Sequence, residues 1–450
     1  MDTIVAIATS PGRSAIGVVR VSGAASLCIA RHLIADESFT PEPRKVFLKN
    51  VVTGSGEVLD SALITYFQSP HSFTGEDMIE LSCHGSPLIL RRLLDRAQSC
   101  GARLAEAGEF TLRACRNGKL NLSQAEAIRD LIDARTEVAL AQATRQLKGE
   151  LSNRLQPAKE KLVRTIVVLE SALEFVEDDL PEFQWQEIKS EVATTLAEIS
   201  SLASTFERGQ VVRDGISATL VGRPNAGKSS LFNSLLGFDR AIVTDVPGTT
   251  RDTISDSLTL EGVPVSLTDT AGIRDAENRI EEIGVARTHR ASADADVLIV
   301  VIDSSEELGD DDLKIIANAQ RVKHVIALNK IDLPAADSAT LPMQNGSRVV
   351  HVSALTGKGL DELRAAILDQ FGKVEGDTSG FLITDSRHYD LLRRAASSLE
   401  DALKSIETRA SEEIALVGLH NALRYLGEIT GETTSEDILS QIFKTFCIGK

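Results

Sequence analysis

The chain has 450 residues, 42% of them hydrophobic, and 65 acidic against 48 basic side chains give it a formal charge of −17. This length predicts about three domains, and no run of about 18 apolar residues predicts a membrane span. The acidic balance excludes wholesale electrostatic capture of RNA and leaves that task to a local patch or a partner.

The opening "MDTIVAIATSPGR" lacks a basic segment followed by a long apolar one, so no signal peptide is expected. Cys28, Cys83, Cys100, Cys115 and Cys447 form no CxxC pair and are odd in number. That excludes a disulfide framework or zinc ribbon and fits a reducing, cytoplasmic setting. Residues 1–118 mix β-like runs ("TIVAIAT", "AIGVVRVSG", "ALITYF", "MIELSCHG") with the helix "SPLILRRLLDRAQSCGA", which predicts an α+β domain. Cys83 and His84 are strand neighbours on opposite faces and make no nucleophile–base pair.

Residues 119–213 carry apolar positions at helical spacing, with Pro157 expected to kink or break the run. Residues 214–376 alternate strands ("SATLVG", "VPVSLTDT", "ADVLIVVID", "HVIALNK", "VVHVSA") with helices, the pattern of a parallel α/β sheet. Residues 377–450 return to helix. The fold class is therefore multidomain α+β: an α+β domain, then a discontinuous helical domain holding an inserted Ras-like α/β P-loop domain whose ends lie close together. His388, Tyr389 and His420 read as packing or solvent residues on amphipathic helices. The series Arg135, Arg145, Lys148, Arg154, Lys159, Lys161 and Arg164 is interleaved with Glu137, Glu150 and Glu160 and reads as a solvated helix face rather than an RNA stripe.

"GRPNAGKSS" starts at Gly222, directly after an apolar strand, and opens into a helix. This is the strand–loop–helix setting of a P-loop, in which Asn225, Ala226, Gly227, Lys228, Ser229 and Ser230 surround phosphates. Lys228 would reach the β/γ-phosphates and Ser229 would ligate Mg²⁺. "DTAG" (Asp269, Thr270, Ala271, Gly272) places a carboxylate near Mg²⁺ and an N–H near the γ-phosphate. "NKID" supplies Asn329, Lys330 and Asp332, whose carboxylate accepts from guanine N1–H and the 2-amino group. In "SAL", the amides of Ser353, Ala354 and Leu355 would meet guanine O6. Together they predict a GTP site at the carboxyl edge of the sheet. The loop Thr244, Asp245, Val246, Pro247, Gly248, Thr249 and Thr250 would be a switch, with Thr250 completing the Mg²⁺ shell when the γ-phosphate is present. Ile273 stands where Ras-like enzymes use a water-orienting glutamine. Glu277, Glu281 and Glu282 are the acidic candidates for that task, and Arg251 is a candidate positive finger.

"GRPNAGKSS", "DVPGTTRD", "DTAGIR" and the tail "CIGK", with "DTIVAIATSPGRSAIGVVRVSG", "SFTGEDMIELSCHG" and "GKLNLSQAEA", together resemble the MnmE (TrmE) family of tRNA-modification GTPases over the whole chain. The resemblance implies a homodimer, joined through residues 1–118, that works with the flavoprotein MnmG in a heterotetramer or larger complex. The product would be an aminomethyl or carboxymethylaminomethyl group at C5 of the wobble uridine of tRNA. It also implies a 5-formyl- or 5,10-methylene-tetrahydrofolate bound by Arg20, Glu80, Lys119 and Lys450. K⁺ would be held by Asn225, Thr244, Val246 and Thr249 where two G domains pair, and could do the charge work of an arginine finger. Among the acidic candidates it singles out Glu281, three residues before Gly284, as the water-orienting glutamate. Pro247 departs from the expected variety before the loop glycine and stiffens the loop without removing a ligand. Cys447 is a candidate nucleophile for attack at C6 of the pyrimidine, although helix-end packing explains it equally well. Two other readings are a nucleotide switch for RNA or ribosomal partners, weakened because no GxxG clamp follows the P-loop domain, and a folate-binding regulatory module.

Overall fold

The computed structural model describes residues 2–174, 182–237, 255–269, 295–334, 348–371, 380–408, 412–433, 439, 442–446 and 449. The chain forms two compact units, one of Met1–Ile132, Gln146–Trp185 and Lys404–Lys450, the other of Asp133–Arg145 and Gln186–Leu403.

The first unit is built on six strands: β1 (Ile4–Ile7), β2 (Ile16–Ser22), β3 (Val46–Val52), β4 (Val58–Phe67), β5 (Met78–His84) and β6 (Arg103–Leu104), in the order β3-β4-β5-β2-β1-β6. All pairs are antiparallel except β1 with β6. Alternation along β2 and β5 sends Val19, Val21, Ile79 and Leu81 into a core shared with the helices Ser26–Ile34 and Pro87–Ser99. The other face carries the cross-strand rows Leu48–Leu63–Ser82–Val18 and Val46–Thr65–Glu80–Arg20–Ala6. At its β1 end Phe73 and Phe110 pack with Ile4, Ala6 and Ala105. At its β3 end it is open, with Val46 60%, Leu48 69% and Leu63 46% exposed.

The helix Glu109–Arg116 anchors two remote segments. It starts at Gly108, where φ is 65° and an added Cβ would lie 2.7 Å from the Phe443 carbonyl oxygen. Its Arg113 is buried and donates to the Asp2, Glu76 and Glu109 carboxylates, with Arg103 also on Asp2 and Glu109. In the same unit the helix Glu150–Glu174 runs through Pro157 without a break, so of the two expectations there the break is not met. A mid-helix proline costs roughly 3 kcal/mol. Burial of Leu151, Leu155, Ala158 and Leu162 on both sides of it outweighs that penalty.

The second unit contains β7 (Ile216–Val221), β8 (Ser255–Leu260), β9 (Val263–Asp269), β10 (Val297–Asp303), β11 (His324–Asn329) and β12 (Arg348–His351), in the order β12-β11-β10-β7-β9-β8. The predicted parallel sheet holds except at β8, an antiparallel edge strand. Glu261 and Gly262, at φ 47° and 84°, make the two-residue turn that reverses the chain there. β10 is buried on both faces, as its continuous apolar run requires.

The helix Phe206–Asp214 feeds β7, and the returning chain meets it closely. Arg213 donates to Asp385 Oδ2 at 2.8 Å, Ile383 N–H to Thr205 Oγ1 at 3.0 Å, and Phe206 stacks on Tyr389 at 4.3 Å. The chain entering the α/β insert thus packs against residues 383–389 that follow it. Burial raises the Asp385 pKa, but the charges of His388 and Arg213 win and hold it far below the carboxylate range. His388 is buried and Tyr389 stacked, so both are packing residues, while His420 is exposed against Glu170 at 3.0 Å. Within the cationic series Arg154 pairs with Glu150 and Lys159 with Glu432.

Candidate functional site

The P-loop takes its shape from two left-handed residues, Asn225 at φ 63° and Gly227 at φ 91°. Gly227 is there for a second reason: a Cβ would stand 2.2 Å from Asn329 Nδ2. The loop turns into the helix Lys228–Leu236, whose first turn offers its free N–H groups to an anion. Lys228 Nζ folds back to donate to the carbonyls of Gly222 at 2.9 Å and Arg223 at 2.7 Å. Ser229 Oγ donates to Asp269 Oδ2 at 2.7 Å, so the P-loop hydroxyl and the acid ending β9 share one spot. Ser230 lies exposed in the same first turn.

Asn329 is the buried hub of the site. Its Nδ2 donates to the Ala226 carbonyl at 3.0 Å, and its Oδ1 accepts from Ala354 N–H at 3.0 Å. One side chain at the end of β11 therefore fixes the P-loop against the loop after β12. Asp332 accepts from Ser353 Oγ at 2.5 Å, and Leu355 points outward, 85% exposed. Lys330, left-handed at φ 66°, donates to Asp303 Oδ2 at 2.5 Å. Burial pushes the Asp303 carboxyl up, but its bonds to Lys330 and Ser305 outweigh this and hold it below its ordinary value. The role of Asp303 escaped the sequence reading, although an acid closing the apolar strand "VLIVVID" was the available signal.

Arg20 and Glu80, opposite each other on β2 and β5, form a double contact through Nε at 2.9 Å and Nη2 at 2.8 Å. The guanidinium lies 5.5 Å from the Phe73 ring centre and 5.6 Å from that of Phe110. Its Nη1 donates to the Gly449 carbonyl at 3.3 Å. Gly449 has φ 98°, and a Cβ there would lie 2.3 Å from the Ile7 carbonyl oxygen. The tail thus ends on the strand edge beside the Arg20–Glu80 pair. Lys119 does not join that pair; its Nζ donates to the Pro70 carbonyl at 3.0 Å, on the loop that carries Phe73. Cys83 faces the core, where burial first and Asp60 second push its thiol up to about 11, while His84 is exposed and pairs with Asp60 at 2.7 Å.

Thr244 to Arg251, Thr270, Ala271, Gly272, Ile273, Glu277, Glu281, Glu282, Gly284, Cys447 and Lys450 lie outside the described residues.

Residues 3–119 match a family described as the GTP-binding protein TrmE N-terminus, and residues 122–447 match the MnmE helical domain. The chain is 44% identical over 457 residues to the tRNA modification GTPase MnmE of Koribacter versatilis, covering 100% of this chain and 99% of the relative. It is 44% identical over 450 residues to that of Aquifex aeolicus, covering 100% of both. Among solved structures, the G domain of the T. maritima FeoB iron transporter is similar at 30% identity with a TM-score of 0.27, covering 34% of this chain and 98% of that one.

Proposed function

Because the chain belongs to the MnmE family of tRNA modification GTPases, we propose that its GTP hydrolysis drives modification at C5 of the wobble uridine of certain tRNAs. In this reading it acts with the flavoprotein MnmG and takes a one-carbon unit from a bound tetrahydrofolate. The observation that carries the nucleotide half is the Asn329 hub, which ties the P-loop to the base-recognition loop at the carboxyl end of the sheet. Asp332 takes the guanine edge. Lys228 exchanges two neutral carbonyl acceptors for phosphate oxygens, a stronger charge-assisted pairing. Glu281 orients the attacking water.

The donor set fits the ions. The Ser229 hydroxyl with the Asp269 carboxylate behind it is the hard-oxygen environment Mg²⁺ takes, with Thr250 as a further ligand. Asn225, Thr244, Val246 and Thr249 offer oxygen donors to K⁺. Bound there, the cations would supply positive charge against the phosphates.

Folate is assigned to Arg20 and Glu80, with Lys119 and Lys450 toward its anionic tail; a carboxylate beside a guanidinium suits the amino–amide edge of a pterin. The same sheet face is open and apolar at Val46, Leu48 and Leu63, which supports pairing with a second copy. A boundary near residue 118 agrees with the two family matches, which meet at residues 119 and 122.

Wobble nucleosides from a strain lacking this protein test the function: they should lack the C5 group, and unchanged nucleosides reject it. GTP turnover should be faster in K⁺ than in Na⁺, and Glu281→Ala should keep GTP binding while hydrolysing slowly. Equal rates in the two salts remove Asn225 from the ion site, and unchanged turnover removes Glu281 from catalysis.

A further inference from the structure

Arg20 places both of its contacts to Glu80 on a single oxygen, Nε and Nη2 reaching Oε1 at 2.9 and 2.8 Å. Oε2 accepts no hydrogen bond among the described residues, although the Glu80 side chain is only 25% exposed. An oxygen with two donors on it is filled, so Oε2 is the acceptor that Glu80 has left to offer. The guanidinium is occupied further by Nη1, which lies on the Gly449 carbonyl.

The strand register sets Thr65 of β4 directly opposite Glu80 of β5. Cross-strand partners hold their Cβ atoms about 4.5–5.5 Å apart, so a flat group lying on this face can touch both side chains at once. Thr65 is half-buried, and its hydroxyl makes no hydrogen bond among the described residues. A donor and an acceptor therefore stand side by side without joining each other, next to the apolar side chains of Val46, Leu48 and Leu63. Polar groups withdrawn from water are normally hydrogen-bonded, and a pair left open together marks a place for a ligand edge. Aromatic rings flank it. Phe67 lies two positions along β4 on the same face, and the Phe73 ring centre is 5.5 Å from the Arg20 guanidinium. Rings beside a donor–acceptor pair suit a planar heterocycle.

We propose that Thr65 is a further binding residue of this site, its hydroxyl donating to a ring carbonyl of the ligand while Glu80 Oε2 accepts the neighbouring ring N–H. In a pterin these two groups are the 4-oxo oxygen and N3–H, adjacent on one edge of the ring. Arg20 acts by fixing the carboxylate through Oε1, which leaves Oε2 to the ligand. The proposal rests on the reading that a tetrahydrofolate binds at Arg20 and Glu80.

The test is calorimetric titration of the full chain with 5-formyl-tetrahydrofolate. Thr65→Val keeps the shape and strand preference of threonine and removes only the hydroxyl, whereas Thr65→Ser keeps the hydroxyl and removes the methyl group. The valine variant should bind on the order of tenfold more weakly, through loss of one hydrogen bond to a desolvated carbonyl. The serine variant should stay within about twofold of wild type. Circular dichroism of both should match that of wild type. If wild type binds and the valine variant binds equally well, or the serine variant is the weaker, Thr65 only packs; the proposal fails and the folate reading stands. If both variants weaken equally and sedimentation velocity shows altered self-association, Thr65 belongs to an interface between copies and the proposal fails too. If wild type does not bind, the folate reading falls and the proposal with it.

Discussion

Lys330 and Asp303 are joined at 2.5 Å across the carboxyl ends of neighbouring parallel strands, where the register sets Asp303 beside Asn329. The Lys330 Cε lies 3.9 Å from where a Cβ on Gly227 would sit, so its chain lies over the P-loop. Asp303 therefore acts as a positioning residue for the nucleotide site. Asp303→Asn should weaken both GTP and GDP binding by roughly tenfold, the worth of one charged hydrogen bond, with turnover at saturation changed much less. The folded carboxyl titrates below its ordinary value. The Asp303 contribution is thus fully present above the unfolded carboxylate range and disappears only as pH falls through the depressed value. Equilibrium titration with a fluorescent guanine nucleotide at several pH values measures both effects; unaltered affinities would leave Lys330 held by its backbone alone.

Gly227→Ala meets two obstacles, a left-handed backbone and the Asn329 amide at 2.2 Å. The strain, about 1–3 kcal/mol, would fall on the hub that joins the two loops. Nucleotide binding should be lost while circular dichroism stays that of a folded chain. A variant that binds normally would mean the Asn329 bridge is dispensable.

Gly449→Ala should lift the tail from the end of β1, because its new methyl would stand 2.3 Å from the Ile7 carbonyl oxygen. Arg20 would then lose the Gly449 carbonyl. Folate affinity should drop by about tenfold with basal GTP hydrolysis unchanged. Calorimetric folate titration checks it, and full affinity would make the tail a bystander.

The Arg113 cluster makes a different prediction. Arg103, with Arg113 behind it, lowers the Asp2 carboxyl to about 2, and Glu109 stays below its ordinary value because both arginines outweigh its burial. Both carboxylates stabilise the fold above the unfolded carboxylate range; Asp2 loses that contribution as pH falls toward 2, and Glu109 as pH falls through its own lowered value. Arg113→Met, which leaves Glu76 without its cation and Glu109 with Arg103 alone, should cost about 3–5 kcal/mol. It should also lower the unfolding temperature of the first unit while sparing the nucleotide site.

The nucleotide site was legible because its parts are short contiguous motifs at strand ends: the P-loop, "DTAG", "NKID" and "SAL" each read locally, and the structure needed only to bring Asn329 to Ala226. The Arg113 cluster was not legible. Glu109 is a local i,i+4 partner, but Glu76 and Asp2 lie 37 and 111 positions away, and no local period marks such a pairing. β3 was missed because Lys49 and Asn50 interrupt an edge strand that need not be apolar, and β8 because "SDSLTL" is half polar at the sheet margin. At Pro157 the helix does not break for the converse reason: tertiary burial on both sides holds it continuous. Neighbours on the linear chain announce themselves; partners made by folding do not.

The contact from Arg20 to Gly449 spans 429 positions. At ordinary synthesis rates the ribosome needs roughly 20 to 90 s to make that much chain. The α/β insert ends 73 residues before Gly449, so a nascent chain makes the whole insert roughly 4 to 15 s before the surroundings of Arg20 can be complete. Every molecule thus passes through a period in which the nucleotide-binding insert exists without the contact that joins Gly449 to Arg20.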